Sequence, residues 1–382
     1  MNSQRLYGMD PLATLPQNKW ENQKMKRFSV RAPGRVCLFG EHSDYLRLDV
    51  IPAAIDLAIF IQCSQREDMK VNVNYVDLEE EDTFNIDGED LIYRHNRDYL
   101  RSAFNVTSRK GLNPKNGWDL EVTGNIPMAA GLSSSSALTV AAILAFVRMS
   151  EESLQPHEIA QLAYEAEVEE FGESGGMMDH FSSAYGGIIH IDLGAEYRTT
   201  RLPANIEGLV IGDSLEKKED TVADLKKIRS SIEKEYQAIS EIVPEFNQRT
   251  TSTSAITNLS PRVLTEARSM AETTLHNRDL TQRAFNLLRN ENPDPYEVGQ
   301  LLDLHHDLLR FGLKRSTRKI EYMILAAKSA GALGCKINGS GGGGTMLALA
   351  PRREKEVANA IRDAGGRPYL VRIGSGAEIV EE

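Results

Sequence analysis

Apolar residues along this chain follow two rhythms. Phe28–Ala32, Arg35–Phe39, Val50–Ile55 and Ala58–Cys63 are apolar runs of strand length, and Val71–Val76 alternates with period two, as a half-exposed strand does. Pro33-Gly34 predicts a turn between the first two runs. The acidic stretch Leu78–Asp90 reads as a solvated hairpin or loop, Asp98–Phe104 as a helix and Trp118–Val122 as a strand. Pro156–Phe171 has the helical period, with proline in its first turn and Ile159, Leu162, Ala163 and Ala166 on its inner face. Phe181–Tyr185, Gly186-Gly187 and Ile188–Ile191 continue as helix, turn and strand, and Leu209–Gly212 as another strand. Residues 220–330 are helical by periodicity, with breaks near Pro244, Pro261 and Pro293–Pro295; His305 and His306 within them read as helix-surface residues. Residues 354–363 form a helix and Pro368–Ile373 a last strand. Residues 1–26 are polar and aperiodic, a loose arm.

Between the strand Trp118–Val122 and a long apolar helix runs Gly124-Asn125-Ile126-Pro127-Met128-Ala129-Ala130-Gly131-Leu132-Ser133-Ser134-Ser135-Ser136-Ala137. Pro127 stops the strand, and Ala129, Ala130 and Gly131 leave the backbone open to close approach. Free N–H groups and the helix dipole at the serines favour an anion, phosphate above all. Serine hydroxyls there either cap the helix or reach a metal ion riding on the phosphate. Four consecutive serines exceed what capping needs, and no Gly-Lys-Ser/Thr follows the glycine, so this is not a Walker A loop.

Four other stretches carry chemistry. Gly40-Glu41-His42-Ser43-Asp44-Tyr45 gathers mixed donors and acceptors in one loop after a strand, which suits a polyhydroxylated ligand as well as a polar turn. Four glutamates crowd the end of the helix Pro156–Phe171; periodicity puts both Glu167 and Glu170 near its apolar face and does not choose between them. Gly175-Gly176-Met177-Met178 then delivers Asp179 into apolar surroundings, as a functional acid or a helix cap. Last, Gly334–Leu349 reads as strand, glycine loop and strand; five glycines in the six positions 339–344 point to a close backbone approach, by a ligand or the other domain.

The chain's 382 residues suit two domains. At 41% hydrophobic and 26% charged it can build a sizeable core, and a net charge of −11 without a sustained Lys/Arg run argues against nucleic acid or an anionic membrane as partner. Cys37, Cys63 and Cys335 are odd in number and far apart, which argues against a disulfide framework or zinc site and for a reducing, cytoplasmic setting. No apolar run approaches the roughly 18 residues of a membrane span.

Three of these stretches in fixed order, Arg35–Tyr45, Pro127–Ala137 and Lys336–Thr345, resemble the GHMP kinase superfamily: galactokinase, homoserine kinase, mevalonate kinase and relatives. The resemblance spans residues 28–373. Gly34-Arg35-Val36-x-Leu38-x-Gly40-Glu41-His42-x-Asp44-Tyr45 is similar to the galactokinase branch; mevalonate kinases carry a lysine where Arg35 stands and lack the Asp-Tyr pair. The resemblance implies an α/β (α+β) fold of two domains: a ribosomal-S5-domain-2-like domain over 27–205 and a ferredoxin-like domain over 206–382, with the active site between them.

It also implies roles. Asp179 is the catalytic aspartate facing a sugar's anomeric hydroxyl, with Arg35 beside it; Glu41, His42, Asp44, Tyr45 and Gly176 bind the sugar. Gly131, Leu132, Ser133, Ser134, Ser135 and Ser136 cradle ATP phosphates, supported by Gly339–Gly343 including Gly341, with Tyr99 at the adenine side. Ser135 and Glu167 hold Mg²⁺; Glu167 stands twelve residues before Asp179, the galactokinase spacing, which settles the choice that periodicity leaves open. The implied partners are ATP and a sugar, with no nucleic acid or membrane, in a monomer or weak homodimer.

Departures concern the sugar. Cys37, Phe39, Leu46-Arg47-Leu48-Asp49, Ala129-Ala130 and Asn96 replace the residues usual in galactokinases, and the sugar-lining tyrosine and twin arginines are not matched around Asp213–Arg229. Galactose is the default acceptor, with arabinose, fucose, a heptose or an amino sugar as competitors. A mevalonate-like kinase and a sensor that keeps the pocket without turnover are the remaining readings.

Overall fold

A computed structural model describes residues 26–86, 89–128, 130–173, 175–194, 197–217, 221–257 and 266–381. The arm expected over 1–26, Lys26 apart, and Ala129 lie outside these residues.

The first half opens on two long strands, β1 (Arg27–Phe39) and β2 (Ile51–Gln65), paired antiparallel along their length. The expected turn at Pro33-Gly34 does not form. Pro33 still pairs with Ala58, the register slips between Pro33 and Arg35, and the strand runs on through a bulge. A Cβ at Gly34 would meet the Leu132 carbonyl oxygen at 2.7 Å, so the glycine lets the serine loop touch the sheet. The two runs around residues 50–63 likewise merge into one strand. β3 (Lys70–Tyr75) and β4 (Glu80–Asn85) form the hairpin expected from the acidic stretch. Helix α1 (Tyr99–Arg109) and strand β5 (Trp118–Gly124) lead to α2 (Ser134–Met149), followed by α3 (Pro156–Tyr164), α4 (Met178–Tyr185), β6 (Ile188–Asp192) and β7 (Arg198–Leu202).

The second half contains β8 (Leu209–Asp213), α5 (Thr221–Ser240), α6 (Thr253–Thr257), α7 (Glu266–Leu288), α8 (Pro295–Asp307) and α9 (Arg318–Ser329). It closes with β9 (Gly334–Asn338), β10 (Thr345–Leu349), α10 (Glu354–Asp363), β11 (Arg367–Val371) and β12 (Glu378–Glu381).

Two sheets result. The larger runs β12-β1-β2-β5-β3-β4, with β6 and β7 branching from β2; β3 and β5 pair parallel and the other pairs are antiparallel. The smaller, β11-β8-β10-β9, is antiparallel throughout, in the order of a ferredoxin-like sheet. The chain end crosses back: β12 pairs with β1, so the last strand of the sequence edges the first sheet.

One core packs the first sheet against α1–α4, through Phe104, Phe146 and Phe181 among others. A second packs α5, α7, α9 and α10 on the small sheet, and it takes in Tyr45, Leu46 and Leu48 from the loop between β1 and β2. A third spans both halves, joining Val36, Phe39 and Leu132 to Ile211, Leu302 and Leu347. His305 and His306 belong to this interior, against the expectation of a helix surface. His305 is fully buried, donates to the Leu38 carbonyl at 3.3 Å and stacks on Phe39. His306 bonds Glu321 at 3.0 Å and accepts from the Ile337 amide at 3.3 Å. Burial first, then Lys336, pushes His305 down to about 3, so its ring packs as a neutral group. Among the described residues no helix is long and apolar enough to cross a membrane.

Candidate active site

A cleft of about 610 Å³ opens between the halves. Arg35, Glu41, His42, Asp44, Tyr45, Tyr99, Gly131, Ser133–Ser136, Glu167, Gly176 and Asp179 all line it. Of the predicted site residues, Leu132 and Gly341 are not in its lining. The Leu132 side chain is buried in the core between the halves. Gly341 sits against Arg315, where a Cβ would lie 2.6 Å from that residue's carbonyl oxygen. Gly339 does reach the serine loop, 3.0 Å from the Gly131 oxygen by the same construction, and Asn338 Nδ2 donates to that oxygen at 3.0 Å.

The serine loop does not cap its helix. Ser133 takes a left-handed φ of 62° and makes no cap bond. Its hydroxyl donates instead to Asp179 Oδ2 at 2.6 Å. Arg35 grips the same carboxylate with two parallel bonds, Nε to Oδ1 at 2.6 Å and Nη2 to Oδ2 at 2.9 Å, while Nη1 donates to the Gly131 carbonyl at 2.8 Å. Against the cost of burial, Asp179 and Glu41 hold the Arg35 guanidinium charged. This disposes of Asp179 as a cap: α4 starts at Met178 and its N-cap Met177 makes no side-chain bond.

A single π turn over Glu165–Glu169 separates the two glutamates. Glu167 is buried beneath the serines and accepts from His180 Nε2 at 2.7 Å. Burial alone would raise its carboxyl, but His180 and then the Ser135 and Ser136 hydroxyls outweigh that and hold it below the usual range. Glu170 turns away to Tyr93 and Arg109. Among the described residues no group of three His, Cys, Asp or Glu could hold a metal by itself. An ionised carboxylate beside serine hydroxyls fits a hard cation that keeps phosphate and water ligands, as Mg²⁺ does.

On the opposite side lies the loop after β1. Glu41 is buried and accepts from Lys336 Nζ at 2.8 Å; Lys336 is itself wholly buried and also donates to the Cys37 carbonyl at 2.8 Å. Burial would raise Glu41, yet Lys336 and Arg35 bring it down to about 2. Asp44 makes no ion pair among the described residues, and burial, then the nearby Asp179, pushes it up to about 7. Gly176 backs onto it so closely that a Cβ would fall 2.1 Å from Asp44 Oδ2. His42 Nδ1 and the Tyr45 hydroxyl lie 2.9 Å apart. The unusual Cys37 meets its neighbours through its backbone: its amide donates to Asn338 Oδ1 at 2.9 Å and its carbonyl serves Lys336.

Sequence reasoning missed Arg97 and His180, which line the cleft, and Lys336, which lies buried behind it. Arg97 lines the cleft at a left-handed φ of 66° and bonds Glu173 at 2.5 Å. Lys336 had a signal: a lysine between Cys335 and Ile337 in an otherwise apolar strand needs a buried counter-charge.

Comparison with known proteins shows the family. The family model for the N-terminal domain of GHMP kinases matches residues 98–187, that for their C-terminal domain matches 284–367, and a galactokinase galactose-binding signature matches 19–65. A mevalonate kinase from Thermococcus sibiricus is 30% identical over 93% of this chain and 99% of its own. A galactokinase from a Roseiflexus species is 30% identical over 91% of each. The crystal structure of Lactococcus lactis galactokinase complexed with galactose superposes with a TM-score of 0.80 at 21% identity, covering 93% of this chain and 95% of that one. The chain belongs to the GHMP kinase family of ATP-dependent phosphotransferases, with the galactokinase signature in its first strands.

Proposed function

We propose that this chain is a cytoplasmic sugar kinase that moves the terminal phosphoryl group of ATP to the anomeric hydroxyl of a monosaccharide, galactose first among the candidates. One observation carries the reading. Asp179, oriented by Arg35 and Ser133, shares its cleft with Asp44, a half-buried acid without an ion pair among the described residues. The cations at the cleft are already engaged, Arg35 by Asp179 and Arg97 by Glu173, and Lys336 behind it by Glu41. That leaves hydroxyl-accepting carboxylates and favours a neutral polyol over a carboxylate such as mevalonate.

In this reading the amides and hydroxyls of Ser133–Ser136 hold phosphate at the start of α2. Ser135 and Glu167 hold Mg²⁺, which supplies charge neutralisation to the phosphates. Asp179 accepts the acceptor hydroxyl's proton as phosphoryl transfer proceeds, and Arg35 keeps that carboxylate aimed. The 30% identity to the Thermococcus mevalonate kinase favours mevalonate as the second reading.

The test is ADP release with Mg²⁺-ATP across galactose, arabinose, fucose, a heptose, galactosamine, mevalonate and homoserine. Turnover on galactose is the expected result. Turnover on another sugar alone keeps the sugar reading and moves the acceptor. Turnover on mevalonate alone overturns it, and ligand-dependent thermal shifts without any ADP release point to a sensor.

A further inference from the structure

The loop Gly40–Asp49 belongs to the first half by connectivity but to the second by packing. Tyr45, Leu46 and Leu48 are buried in the core of the small sheet. Its backbone is costly to hold: His42 and Arg47, which carry a Cβ, take left-handed φ values of 65° and 58°. Something outside the loop must fix it, and the anchors come from the far half. Asn277 Nδ2 on α7 donates to the Glu41 carbonyl at 2.9 Å and to Ser43 Oγ at 3.1 Å. Arg249, in the connection between α5 and α6, makes the tightest set. Its Nη1 donates to the Arg47 carbonyl at 2.5 Å, and its Nη2 to Asp49 Oδ1 at 2.7 Å and to Asp192 Oδ1, at the end of β6, at 2.6 Å. Asp49 also accepts from His190 at 3.0 Å. Arg249 is itself held: Arg278 Nη1 donates to the carbonyls of Gln248 and Thr251 on either side of it.

From Arg249 to the acceptor acid is a short path. Arg47, whose carbonyl Arg249 grips, closes the turn by donating its amide to the Asp44 carbonyl at 2.9 Å. Asp44 in turn has almost no slack against Gly176. We infer that Arg249, with Asp49 and Asp192, is the positioning residue that sets which acceptor this enzyme takes, by fixing the turn that carries Asp44 and Tyr45 from the opposite half of the molecule. The unusual Leu46-Arg47-Leu48-Asp49 then has a purpose: it supplies the apolar side chains and the carboxylate that this clamp needs. The inference rests on the proposed reading of the cleft as a small-molecule kinase site.

Wild-type turnover on the acceptor panel tests that reading alone. On whichever acceptor reacts, Arg249→Ala is expected to raise the acceptor KM about ten- to a hundredfold, since small misplacements of a binding group cost that much, with the KM for ATP unchanged. Arg249→Lys, which keeps the charge and loses the planar fork, falls between. Asp49→Asn gives a similar rise, and the double variant with Arg249→Ala adds little to either alone. An exposed control, Arg362→Ala on α10, leaves both KM values unchanged. Hydrogen exchange provides the readout that needs no acceptor: amides of Arg47 and Leu48 exchange faster in Arg249→Ala and Arg249→Lys, while the serine-loop amides do not. Unchanged acceptor KM with unchanged loop exchange overturns the clamp and leaves the kinase reading standing. An equal rise in both KM values, or strictly additive effects of the Arg249 and Asp49 changes, also overturns it.

Discussion

In the proposed reading, the phosphate side and the acceptor side of the cleft are built in opposite ways. The phosphate side is nearly self-contained: Arg35 and Ser133 bond Asp179, His180 bonds Glu167, and all five come from the first half. The acceptor loop hangs from the same half yet is held by Lys336, Asn277 and Arg249 of the second. Chemistry common to many phosphoryl transfers can rest on one rigid unit. Under the proposed clamp, choice of acceptor depends on how the two units meet, so it can change by remote substitution while the reacting groups stay as they are.

The largest expected effect breaks the phosphate side. Asp179→Asn should lower turnover by about a hundred- to ten-thousandfold, the usual contribution of a positioned acid or base, while nucleotide binding survives. Steady-state kinetics beside titration with a non-hydrolysable ATP analogue checks this; turnover at wild-type rate would remove Asp179 from the mechanism.

Next comes the joint between the sides. Lys336→Met strands Glu41 as a buried charge, and leaving one partner of such a pair costs about 3–5 kcal/mol. Denaturant unfolding should record this, and adding Glu41→Gln should recover part of it. A double variant no more stable than Lys336→Met would mean the lost stability lies elsewhere than in the stranded carboxylate.

The smallest effect sharpens the acceptor side. Asp44 rises from its ordinary 3.8 to about 7 on folding, through burial and the nearby Asp179. The folded state therefore binds the extra proton, and the stability this contributes is fully present below pH 3.8 and lost as pH rises through about 7. Asp44→Asn removes that decline, so melting temperatures across this range should fall less steeply in the variant. Parallel curves for the two proteins would show that Asp44 does not titrate there.

Much of this was readable in advance. The strands and helices followed their periods closely enough that 354–363 matches α10 residue for residue, and the serine loop, Asp179 and Glu167 meet in one cleft. The failures are instructive. Pro33-Gly34 has the composition of a turn, but the glycine serves a bulge under the Leu132 carbonyl, a contact 98 residues away in sequence. His305-His306 looks like a polar pair on a helix, yet both rings lie on the inner face of α8 and are buried.

What the sequence determined by itself is local: which runs extend, which coil, where small residues leave the backbone open, and which acids come to the cleft. These follow from the period of side chains along one element and from the conformations glycine, proline and serine favour. Only the tertiary structure decided that Lys336 answers Glu41 across 295 residues and that Arg249 grips Arg47 and Asp49 across about 200. A polar side chain announces that it needs a partner, but burial and distance choose the partner, and those exist only once the two halves have closed on each other.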